Sequence, residues 1–198
     1  MLAKLCSRAI WVSLFTFLSF SSFQIEAREI LLEGKASYYI STDQKFRDIY
    51  GGAGLYRLET NIQAWNDFYA WVNLGYMYAS GDTNRGTHSH LHLVPLAFGV
   101  SYLFKCDPFV PYVGLGPLLA YSHINNGSSH VTRNQNGWGG GFQAKTGFLA
   151  YLTDSLFFDF FADYSFIRMS FNHGSKRTVN YKGDLSGFSF GAGLGYKF

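Results

Sequence analysis

LSGFSFGAGLGYKF, Leu185 to Phe198, closes the chain, and its reading decides the fold. Phe188, Phe190, Ala192, Leu194, Tyr196 and Phe198 share one parity, and Ser189, Gly191, Gly193, Gly195 and Lys197 the other. Successive side chains of an extended strand point to opposite faces, so one face here is large and apolar while the other is mostly glycine. A closed barrel in lipid accounts for both. Its strands satisfy one another's backbone groups, the apolar face meets acyl chains, and the glycine face leaves room for side chains from across the lumen.

The same alternation recurs upstream in segments of about 10–14 residues, longer than the usual soluble strand and long enough to cross a bilayer at a tilt. Eight are legible, at roughly 30–41, 50–62, 68–80, 91–104, 109–123, 138–152, 156–170 and 185–198. In the seventh, Leu156, Phe158, Phe160, Ala162, Tyr164 and Phe166 alternate with Asp159, Asp163 and Ser165. In the third, Phe68, Ala70, Val72, Leu74, Tyr76 and Tyr78 alternate with Asn73 and Gly75; in the sixth, Phe142, Ala144, Thr146 and Phe148 alternate with Gln143, Lys145 and Gly147. A soluble sandwich also alternates, but its polar face meets water and carries more charge. Small, sparsely charged polar faces suit a narrow interior.

Connectors alternate in length. Gln63–Asp67, Lys105–Pro108 and Thr153–Ser155 are short, whereas Ser41–Ile49, Gly81–His90, Asn125–Gly137 and Phe171–Asp184 are long and polar. Short inner turns and long outer loops are the layout of outer-membrane barrels. The fold class is therefore all-β: an eight-stranded antiparallel up-and-down transmembrane β-barrel over residues 28–198, preceded by a cleavable signal peptide. Trp65, Trp71, Tyr102, Tyr112, Trp138 and Tyr196 are candidates for interfacial girdles, although Trp71 and Tyr112 have inward parity. Pro95, Pro111 and Pro117 fall inside strands and are expected at bulges or strand ends.

Residues 1–27 carry the signal pattern: Lys4 and Arg8, an apolar and Ser/Thr run from Ala9 to Phe23, then Ile25-Glu26-Ala27 as a cleavage site. A membrane anchor is the alternative, but the run falls short of the roughly 20 residues a spanning helix needs. Cleavage lowers the net charge from +3 to +2 and leaves Cys106 as the mature chain's only cysteine, so no internal disulfide is expected. Aromatics at 19% exclude a disordered chain, and sparse, balanced charge gives no basic surface for nucleic acid.

The tail resembles the C-terminal assembly signal of outer-membrane barrels, with a final Phe198 preceded at alternate positions by Tyr196, Leu194 and, further up, Phe190. The mature chain as a whole resembles the small eight-stranded group that includes the outer-membrane protein A barrel and the opacity-type proteins. YYISTDQKFRDIYGGAGL (Tyr39 to Leu55), GWGGGFQAKTGF and the tail are similar to barrels of chlamydia-like bacteria. The resemblance implies localisation in the outer membrane, recognition of the tail by the barrel-assembly machinery, and contact with outer-membrane lipids and lipopolysaccharide. It covers about 170 residues, and its motifs specify architecture rather than chemistry.

Inward parity collects Glu33, Lys35, Arg57, Glu59, Lys145, Asp159, Asp163 and Lys197, four acids and four bases. Buried charge is costly unless paired, so these are expected to form an ion-pair network that plugs the lumen, with Lys145 pairing across to Asp159 or Asp163. A gated, narrow porin-like channel is the alternative. All six histidines fall at the outer end, and THSHLH places three at alternate positions. Metal binding there is outweighed by ordinary loop histidines, because no carboxylate or cysteine stands at ligand spacing. FNHGSKR resembles the His-x-Ser of lipid A deacylases through His173 and Ser175, with Asp184 as the nearest downstream acid, but Gly174 and Lys176 depart from that pattern. PYVGLGP lacks the Lys-Ser/Thr of a phosphate loop. The expectation is a non-enzymatic structural or surface-interacting barrel with no cofactor. Its four outer loops carry Lys45, Arg47, Arg85, Arg133, Lys176, Arg177 and Lys182 toward lipopolysaccharide phosphates or a host or surface ligand.

Overall fold

The computed structural model describes residues 28–82, 88–106, 108–126, 134–171 and 181–198. Residues 1–27, with Cys6, lie outside them, as do Arg85, His130, Arg133, His173, Ser175, Lys176 and Arg177. The elements are β1 (Ile30–Ser41), α1 (Gln44–Tyr50), β2 (Gly52–Trp65), β3 (Phe68–Asp82), β4 (His88–Leu103), β5 (Phe109–Asn126), β6 (Asn134–Tyr151), β7 (Leu156–Phe171), β8 (Tyr181–Asp184) and β9 (Gly187–Lys197). β1 to β7 pair antiparallel in chain order, and β9 pairs with both β7 and β1, so the sheet closes. The result is an eight-stave antiparallel barrel.

Three local expectations are corrected. The last outer connector ends sooner than expected: Tyr181–Asp184 forms β8, separated from β9 at Leu185-Ser186 with the register on β7 unchanged. The interruption frees two carbonyls that anchor the end of β1. Tyr39 donates its hydroxyl to the Leu185 carbonyl at 2.6 Å, and Ser186 O accepts from the Ser41 hydroxyl and the Thr42 amide. The prolines need no bulge. Pro95 and Pro117 sit in mid-strand where ladder pairs are skipped while the flanking register holds, because a missing donor interrupts a ladder without shifting it. The first outer connector is not a plain loop. α1 lies there, with Phe46 buried against Tyr39 and Tyr50, and Arg47 donates to the Ser41 and Thr42 carbonyls. Tyr50 shares a 2.7 Å hydrogen bond with Ser89, and burial pushes its phenol above the ordinary range.

Burial follows parity around the ring. Leu58, Leu74, Leu115, Phe160, Phe190 and Leu194 lie on an exposed apolar exterior far larger than a water-soluble monomer carries. Trp65 and Trp138 stand exposed, while Trp71 and Tyr112 are buried inside. The interior is layered. Leu31, Tyr69, Leu103, Val110, Leu149, Phe157 and Phe161 pack at the end with the short turns. Leu55, Trp71, Met77, Leu91, Leu118, Ile167, Met169 and Phe46 of α1 pack at the other.

The glycine face of β9 makes this packing fit. A Cβ on Gly195 would lie 2.2 Å from the ring of fully buried Phe157, and one on Gly193 would lie 3.0 Å from Lys35. Gly195→Val is therefore expected to lower stability by about 1–3 kcal/mol, read as the urea midpoint of protein folded into vesicles. Gly34→Ala is the control, since a Cβ there meets nothing within 4 Å.

Candidate functional site

Between the two apolar layers lies an ionic one. Period-2 alternation puts Glu33 and Lys35 on one face of β1, Arg57 and Glu59 on β2, Lys145 on β6, and Asp159 and Asp163 on β7, all buried. Register sets like against like on β1 and β2, with Glu33 opposite Glu59 and Lys35 opposite Arg57. Such neighbours repel, so the compensating charge comes from diagonal neighbours on these two staves and from other staves. Lys35 Nζ stands 2.8 Å from Asp159, 3.2 Å from Glu59 and 3.3 Å from Glu33. Arg57 donates to Asp163 at 2.5 Å, and Lys145 donates to Glu59.

Two placements differ from expectation. Lys145 is opposite Asp163 in register, yet its ammonium reaches across the lumen to Glu59, while Asp163 takes Arg57 and Asp159 takes Lys35. An eight-stave lumen is narrow enough for a long side chain to cross it, so the adjacent strand is not the only source of partners. Lys197 is not in the layer. It is the last residue of β9, one-third exposed at the rim, 3.9 Å from Glu29 and over the Tyr151 ring. The layer therefore holds four carboxyls and three cations.

Neutral donors make up part of that difference. Asn61 donates to Glu33 and Glu59, Asn73 to Glu59, Gln143 to Asp163, and Tyr112 to both oxygens of Asp159. None of these four was among the expected site residues. Their signal was the same inward parity, read for amides and phenols as well as charges. Aromatic rings flank the cations: Lys35 and Arg57 lie over Phe161, and Lys145 lies over Trp71 and Tyr112. A void of about 10 Å³ remains among Glu33, Asn61, Ser101, Tyr112 and Lys145, room for about one water.

Elsewhere, Asp184 accepts from the Ser186 amide at 2.8 Å, and its suggested partners His173 and Ser175 lie outside the described residues. Cys106 is exposed and unpaired by disulfide. A cavity of about 710 Å³ opens at the short-turn end, lined by Glu29, Tyr69, Lys105, Tyr151 and Lys197.

Closed eight-stave topology, a lipid-ready exterior and a paired polar interior define a small outer-membrane β-barrel. An apolar belt of this kind belongs in the bacterial outer membrane. No family model and no curated protein matches the chain. Solved structures do. OprG of Pseudomonas aeruginosa superposes with a TM-score of 0.63 at 16% identity, over 87% of this chain and 97% of that one. Neisserial surface protein A gives 0.58 at 18%, over 87% and 100%. Ail of Yersinia pestis, in complex with the heparin analogue sucrose octasulfate, gives 0.54 at 14%, over 88% and 100%. At these identities the likeness is one of fold.

Proposed function

We propose that this chain is a structural and surface-displaying barrel, not an enzyme, whose lumen is closed to solutes. The observation that carries the reading is the filled cross-section. An ionic layer tied across the lumen lies between two apolar layers, with α1 packed over the outer one. A conducting pore needs a continuous water path, and buried pairs of this kind resist opening because separating them exposes unpaired charge.

Display is the complementary half. Rigid staves hold the outer connectors, which contact lipopolysaccharide or a host or surface ligand. A polyanion held by Ail, a barrel of the same fold, supports this reading. Arg47 is less available for that role than the sequence suggests, because its guanidinium latches α1 to the Ser41 and Thr42 carbonyls. Phe190, Leu194, Tyr196 and Phe198 all face outward on the stave that closes the ring, which suits reading by the assembly machinery before closure.

Purified mature protein in planar bilayers is expected to show no steady current above the bare membrane. A steady, large single-channel conductance would establish the narrow porin-like channel instead.

A further inference from the structure

On the outside of the barrel, β4 and β5 carry a group of imidazoles that the lumen does not use. His90 and His92 of β4 and His123 of β5 have outward parity, and His92 is the direct cross-strand partner of His123 with the rings 6.4 Å apart. Each Nδ1 is held. Tyr78 lies 2.9 Å from that of His90, Tyr76 lies 2.8 Å from that of His92, and Asn136 Oδ1 lies 2.5 Å from that of His123. Tyr78 also stacks on His90 and packs against His92. These contacts fix the rings and leave Nε2 as the nitrogen to meet a ligand.

Depth identifies that ligand. His92 is eleven residues above Leu103 at the short-turn end of β4. At a rise of about 3.3 Å per residue and a tilt of about 40°, that is roughly 28 Å, just past an apolar band about 25 Å tall. The imidazoles therefore stand at headgroup level in the outer leaflet, where the anionic groups are phosphates on lipid. The neighbouring outward positions are Tyr76, Tyr78 and Ser80 on β3, Val94 on β4, Tyr121 and Asn125 on β5, and Asn136 and Trp138 on β6, all uncharged at neutral pH. One step nearer the loop, Asp82 is paired in register with His88, and both side chains lie outside the described set.

We propose that His90, His92 and His123 form a site for a phosphate group of lipid A, met through their Nε2 edges. The site rests on outer-membrane placement but not on a closed lumen, so conductance and lipid retention fail independently.

The test uses mature protein in phosphatidylcholine nanodiscs with or without bis-phosphorylated lipid A, and native mass spectrometry of the lipid retained on release. Retention of lipid A is expected to be about tenfold greater for the parent than for His90→Gln/His92→Gln/His123→Gln, which is expected to fold. Equal retention by the two proteins, or equal retention of dephosphorylated lipid A by the parent, would overturn the site. Phosphatidylglycerol retained as well as lipid A would overturn the assignment to lipid A. If the variant fails to fold, the ring carbon signals of the parent decide: they must move when lipid A is added at about pH 6.5, and no movement rejects the proposal.

Discussion

Glu59→Leu is expected to cost about 3–5 kcal/mol of stability, the largest loss from any single lumen substitution. Glu59 is the hub of the ionic layer. One carboxylate oxygen meets Lys35, Lys145 and Asn61, and the other accepts from Asn73. Lys35 keeps Glu33 and Asp159 when Glu59 is removed, but Lys145 keeps no ion-pair partner among the described residues. An ammonium left unpaired in a dry interior incurs its full desolvation cost. The measurement is the urea unfolding free energy of protein folded into phospholipid vesicles. A second variant separates charge from packing. Glu59→Leu/Lys145→Met removes the stranded cation together with the anion, and is expected to recover a substantial part of the loss. A double variant no more stable than Glu59→Leu would show that Lys145 was not the group left uncompensated.

Leu74→Arg is expected to cost about 2–4 kcal/mol, although Leu74 is more than half exposed. In a water-soluble protein an exposed leucine accepts arginine almost without penalty. Here the exposure is to hydrocarbon. Leu74 lies between Leu58 of β2 and Leu96 of β4 on the outward face, six residues above Phe68 at the short-turn end of β3. That is roughly 15 Å up at the rise and tilt of a barrel stave, close to the middle of the apolar band. The same substitution at Trp65, exposed at the turn, is expected to cost under about 1 kcal/mol, because the interface tolerates charge. The same vesicle unfolding assay reads both. Equal, small effects at the two depths would mean that the belt does not face lipid.

Much of the architecture was legible because a β-barrel writes its geometry at period 2. Alternation marks faces without reference to any distant residue, and turn chemistry marks the ends. Asn66, which takes a positive φ of 48° between Trp65 and Phe68, is such a signal. Propensity spoke less clearly where two rules conflicted. Proline inside a strand argued for a bulge, yet the staves absorb Pro95 and Pro117 by skipping ladder pairs, since neighbours on either side keep the register fixed. α1 was hidden because QKFRDIY is short and polar except for residues such as Phe46 and Tyr50, whose burial depends on the mouth of a barrel beneath them. The break at Leu185-Ser186 likewise meets partners at and just beyond the end of β1, 144 to 146 residues away in the chain.

The sequence by itself determined which face of each strand is apolar, and hence which charges point inward. That information is local, carried by side chains two residues apart. Only the tertiary structure decided who pairs with whom. Adjacent staves bring Glu33 to Glu59 and Lys35 to Arg57, contacts that would repel in an open sheet. Curling that sheet into a ring narrow enough to reach across gives Lys35 to Asp159, Arg57 to Asp163 and Lys145 to Glu59, and leaves Lys197 outside at the rim. Reach across a lumen depends on its diameter and on the level of each stave, and neither is written in the spacing of residues along one strand.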